Sequence, residues 1–108
     1  MRKISEQDFK KFHKSFPELR ERYIKDINQK IIDIFNDKNK DETEKFWLAE
    51  EMIDEQSKIL RRCLDGISRS RAFLYVMNMW YVGMLTGEDL KGYSPEFQQM
   101  VLELDNQS

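Results

Sequence analysis

Glycine and proline are scarce, at four and two in 108 residues. An all-β chain needs many turns, and turns draw on those residues, so that class is excluded. Cys63 is the one cysteine, so no internal disulfide can form and nothing points to an oxidising compartment. His13 is the one histidine, and Lys10 stands three residues before it. The Glu-x-x-His pairs of di-metal helical bundles are therefore missing. Gly-x-Ser-x-Gly, the phosphate loop, Cys-x-x-Cys and the dinucleotide fingerprint are missing too. With one histidine and a cysteine at a core-spaced position, no catalytic triad can be assembled. The expectation is a protein that is not an enzyme and holds no cofactor or metal.

Long apolar runs are also wanting. The longest apolar stretch, Ala72–Leu85, falls short of the ~20 residues a spanning helix needs. Arg69 and Arg71 close one end of it, and Glu88, Asp89 and Lys91 the other. No membrane span is expected. Positive charge at Arg2 and Lys3 is not followed by the apolar stretch of a secretory leader. A cytoplasmic location follows as an expectation. The chain shows no repeat of solenoid period.

Hydrophobic residues make up 40% and aromatics 12%, enough for a core despite 35% charged residues. The length suits one domain, residues 1–108. Periodicity makes it all-helical. Ser5 and Asp8 suit the start of a short helix carrying Phe9, Phe12 and Phe16. Ser15-Phe16-Pro17-Glu18 resembles a second start, since proline is tolerated in a first turn. A helix over about 16–36 follows, with Leu19, Tyr23, Ile27, Ile31 and Ile34 as its stripe. Residues 36–41 are polar and form a loop. Asp41 or Thr43 caps the next helix, whose stripe is Phe46, Ala49, Ile53, Gln56, Leu60, Cys63 and Ile67. Asp65-Gly66 ends it. Ser68 or Ser70 opens a helix running to Leu85, apolar on all sides except Asn78 and hence central. Ser94-Pro95-Glu96 opens a last short helix with Phe97, Met100, Val101 and Leu104 inward; Asp105–Ser108 fray. The fold class is an all-α compact bundle of four to five helices. Two long antiparallel helices pack on a hydrophobic central one.

Several residue groups are candidates for function. The central helix carries Phe73, Tyr75, Asn78, Trp80, Tyr81 and, beyond them, Met84, which cannot all point one way. If the other helices leave part of it open, these six form a partner interface. Ala72, Val76, Met79 and Gly83 share a face whose small ends permit close helix approach. Gln56 and Asn78 are polar at core-facing positions, so each needs a hydrogen-bonding partner. Ser68, Arg69, Ser70 and Arg71 are a candidate anion contact, against the simpler reading of a capped turn with solvated arginines. Glu50, Glu51, Asp54 and Glu55 crowd one stretch but sit near Lys58, Arg61 and Arg62, which marks a solvated face.

Charge is uneven. Residues 1–40 carry 11 basic and 7 acidic side chains, and residues 41–67 carry 4 and 8. A basic N-terminal segment with phenylalanines suggests phosphate contact and base stacking. However, Phe9, Phe12 and Phe16 have core spacing. The segment 86–95 is too long for the turn of a helix-turn-helix, and the helix after it is acidic. The expected function is a non-enzymatic protein-interaction module: a small adaptor, inhibitor or regulatory subunit working through helix packing. Its partner is another protein, or itself as a homodimer. The alternatives are an accessory protein of a nucleic-acid-handling system, although nucleic acid is not the favoured partner, or a bundle binding a small ligand at a site lined by Trp80, Tyr75, Tyr81 and the methionines.

Overall fold

The computed structural model describes residues 3–64 and 66–107. Arg2, Asp65 and Ser108, which figured in the readings above, lie outside them, as does the side chain of Leu64. The fold is an all-α bundle of four α-helices with short 3-10 turns, and no strand occurs among the described residues. Helix α1 spans Glu6–Phe35, α2 Glu42–Leu64, α3 Ala72–Tyr81 and α4 Pro95–Leu102. The first two form a long antiparallel hairpin. At its base α3 and α4 pack against it.

The expected break near Pro17 does not occur, because α1 runs through the proline as one helix of 30 residues. Ser5 caps it, its Oγ accepting from the Asp8 amide at 3.1 Å. Ser15, read as a second cap, instead donates its hydroxyl to the Lys11 carbonyl at 2.8 Å. The reason lies in the burial stripe. Phe12 and Leu19 are buried and Phe16 is half-buried on either side of the proline, so one face stays in the core across it. That burial outweighs the ~3 kcal/mol an interior proline costs.

At the turn, Asp41 is the cap of α2, its Oδ1 accepting from the Glu44 amide at 2.8 Å. The central helix is shorter than its apolar run. It stops at Tyr81, four residues before Leu85. Gly83 adopts φ +81°, and the amides of Gly83 and Met84 bond back to the carbonyls of Trp80 (3.2 Å) and Met79 (2.9 Å). This is a Schellman stop, in which glycine takes the left-handed position. Gly83 therefore does not serve close helix approach; its Cβ position meets nothing within 4 Å. Past the stop, Met84 and Leu85 turn back into the core.

One cluster forms the core, and it sits at the base. It joins Phe12 and Leu19 of α1, Cys63 of α2, Val76 and Met79 of α3, and Phe97 and Val101 of α4. Burial raises the pKa of the Cys63 thiol, which keeps it protonated. Polar ties lock this end. Asp8, buried, accepts from the Ser94 hydroxyl (2.6 Å) and amide (3.1 Å), while Ser94 Oγ accepts from the Phe97 amide (3.1 Å) and so caps α4. Burial pushes the Asp8 pKa up, but the bonds from Ser94 and Ser5 prevail and hold it below the usual value. Arg22 grips Asp89 through two bonds of 2.9 and 2.6 Å and reaches the Met84 carbonyl at 3.0 Å. Over residues 105–107 the expected fraying is not seen: a 3-10 turn covers Glu103–Gln107, Leu104 is buried, and the Trp80 indole donates to Asp105 at 3.0 Å.

Beyond this base the hairpin continues as two helices alone. Its seam there holds Ile27 and Ala49, buried but outside the main cluster. The molecule measures 51 × 25 × 24 Å. Its radius of gyration of 16.5 Å exceeds the ~13 Å typical of a 108-residue domain.

Candidate functional site

The outer hairpin carries large apolar side chains in water. Among the described residues, Ile32, Phe35, Phe46, Trp47 and Ile53 are all about half exposed or more, Phe46 reaching 59% and Trp47 60%. Two of them, Phe46 and Ile53, belong to the stripe expected in the core. Ala49 of the same stripe is 3% exposed. The seam between α1 and α2 is narrow enough to cover Ala49 and leave its neighbours uncovered.

These side chains are ordered by helix spacing. Phe46, Glu50, Ile53, Ser57 and Arg61 follow at intervals of four, three, four and four, and so share one face of α2. The turn closed by Asp37 and Lys40 brings Phe35 beside them. Phe35, Phe46, Ala49 and Ile53 line one open groove, edged by Glu50 and Asp54 and ending at Arg61. The Phe46 and Trp47 rings meet edge to face, centroids 5.1 Å apart. On α1, Lys10, Lys14, Glu21, Asn28, Ile32 and Phe35 also follow at intervals of three, four or seven and share a face. At its basal end Phe9, Lys10, His13 and Lys14 form a second shallow cleft with Ile67. A different face of α1, carrying Arg22, Asp26 and Gln29, turns toward Gly83 and Met84. One side of the hairpin is thus occupied by the chain that follows it, and the other is open from turn to base. Acids Glu50 and Asp54 edge the outer part of the open side. Bases Lys10, Lys14 and Arg61 edge its inner part.

The six residues expected to form an interface are scattered. Tyr75 and Met84 are buried, and Phe73, Asn78 and Trp80 are half-buried. Tyr81 alone of the six is well exposed, at 56%. The central helix is largely covered, and the apolar surface lies elsewhere. Tyr75, Met79 and Met84 fill the core, which is the space a small ligand near them would need. Gln56 has its partner across the seam, accepting from the Tyr23 hydroxyl at 2.6 Å. The Ser68–Arg71 group forms a 3-10 turn, with the Ser68 and Ser70 hydroxyls 3.3 Å apart and Arg71 over the Tyr75 ring at 5.9 Å. In the basic N-terminal segment Phe12 is buried, and Lys11 donates to the Gly92 carbonyl at 2.6 Å while lying over the Tyr93 ring. The outer-hairpin face was missed because spacing marks a stripe as apolar without saying where its cover ends.

No family model matches this chain, and neither a curated protein nor a solved structure does.

Proposed function

We propose that this chain is a non-enzymatic protein-interaction module, a small adaptor, inhibitor or regulatory subunit, that works by helix packing through the open side of its hairpin. The observation that carries this reading is the concentration of exposed apolar side chains on the outer hairpin, five of the seven large ones among the described residues. Scattered exposed apolar residues are ordinary, but a continuous patch rimmed by charge favours a partner. Covering Phe46 and Ile53 contributes ~1–2 kcal/mol each before the costs of association. The partner surface that fits is itself an apolar helix face, because the groove is long, shallow and lined by helical stripes.

The test uses the immobilised chain against an extract of its native cell and against itself. The double variant Phe46→Glu/Ile53→Glu replaces two exposed side chains and leaves the basal core intact. Wild type is expected to retain a defined protein, a second copy included, and the variant to lose it with an unchanged melting curve. Equal retention by both, or none by wild type, overturns the reading.

A further inference from the structure

Resting on that interaction reading, we infer that the occupant of the open side is a second copy of this chain, its hairpin running antiparallel to the first. The two hairpins then form a four-helix bundle, with α2 over α2 and α1 over α1.

The first argument is area. The chain exposes 7469 Å². A typical monomer of 13.1 kDa exposes ~6,400 Å². The excess, about 1,100 Å², is of the size one partner contributes to a standard interface, ~800 Å².

The second is charge. A two-fold interface must be complementary to itself. The open side is acidic toward the turn, at Glu50 and Asp54, and basic toward the base, at Lys14 and Arg61; Lys10 there is paired with Glu6 at 3.5 Å, and Glu21 lies midway. Reversing one copy over the other sets each acidic end on a basic end. A parallel arrangement would stack like on like.

The third is register. The outer groove ends in Phe35 and Phe46, and the basal cleft contains Phe9 and Ile67. Because α2 ends at Leu64, before Ile67, the two-fold axis is set on α1, and the Tyr23–Gln56 bond carries its level to Gln56 on α2. Seating Phe35 at the level of the second copy's Phe9 puts the axis at Arg22 on α1. At 1.5 Å per residue, both points lie ~20 Å from the turn, so a single axis serves both helices. In this register Glu50 lies level with the second copy's Lys14. Asp54 comes within about one turn of its Arg61. The α3–α4 layers fall on the far sides of the bundle, at opposite ends, and do not collide.

The experiment is sedimentation equilibrium over a wide concentration range on four samples: wild type, Glu50→Lys/Asp54→Lys, Lys14→Glu/Arg61→Glu, and a one-to-one mixture of the two variants. All four positions are exposed, so folding is retained, and circular dichroism checks it. Wild type is expected to dimerise. Each variant alone should do so at least about tenfold more weakly, and the mixture should regain wild-type affinity as a heterodimer. Wild type that stays monomeric overturns the inference, as do variants that dimerise like wild type or a mixture that regains nothing. A monomer that still retains another protein through Phe46 and Ile53 leaves the interaction reading standing. A monomer that retains nothing removes both.

Discussion

Replacing Asp89 by asparagine tests how the hairpin is fastened to the chain that follows it. The carboxylate accepts two bonds from Arg22 on α1 and two from Thr86, from its amide and its hydroxyl at 2.8 Å each. The Arg22 bonds are the main reason its pKa falls to about 2 from 3.8. A shift of that size corresponds to ~2.5 kcal/mol by linkage. The Arg22 side chain is 46% exposed, so solvent screening reduces the contribution to ~1–2 kcal/mol. The sign follows from the direction of the shift. The folded state favours the charged carboxylate, so the stabilisation is complete above pH 3.8 and disappears as pH falls through about 2. Asp89→Asn is therefore expected to cost ~1–2 kcal/mol at pH 7, a fall in Tm of ~4–8 °C. The gap between wild type and variant should close near pH 2. Urea unfolding followed by circular dichroism at pH 7, 4 and 2 measures it. Asp8, whose pKa is also lowered, weakens both proteins on acidification and cancels in the difference. A gap that persists unchanged at pH 2, or a variant as stable as wild type at pH 7, would refute the Arg22 clamp.

Two further substitutions probe the backbone. Pro17→Ala restores a missing amide inside α1 and should raise stability by ~1–3 kcal/mol in chemical denaturation; a loss of stability would mean that the helix starts anew at Ser15. Gly83→Ala places a side chain at φ +81° and should cost ~1–2 kcal/mol, whereas Gly87→Ala, without positive φ or a close neighbour, should be neutral. Equal melting temperatures for these two alanine variants would remove the Schellman stop at Gly83.

Local signals that act within one turn were legible in the sequence. Ser5, Asp41 and Ser94 cap where their spacing to Asp8, Glu44 and Phe97 places them, since a cap depends only on its own next residues. Stripes with alternating intervals of three and four gave the helical class and the antiparallel hairpin for the same reason. Pro17 was misread because Ser15 and Glu18 compose a local start signal of ~1 kcal/mol. The competing term is non-local: Phe12, Phe16 and Leu19 join one core cluster with residues of α3 and α4, which a window of four residues cannot contain. Asp8 is a further case. Its acidic position fits a helix start, but its pairing with Ser94, 86 residues away, has no local signature.

The apolar surface was expected on the central helix because that helix was expected to run on to Leu85. Read as continuous to Leu85, that helix leaves an apolar surface to be covered and offers itself as the sticky element. Gly83 ends it at Tyr81, and the residues past the stop, Met84 and Leu85, fold back and close the base. Length then decides what remains open. At 1.5 Å per residue, α3 covers ~15 Å and α4 ~12 Å, while α1 extends ~45 Å. A layer that short, set at one end, cannot reach the turn of the hairpin. The same stripe of α2 therefore passes from buried Cys63 at the base to exposed Ile53 and Phe46 beyond it. Apolar periodicity is identical in both halves. Only the length of the third layer distinguishes buried core from exposed surface, and that length depends on the backbone conformation of one glycine.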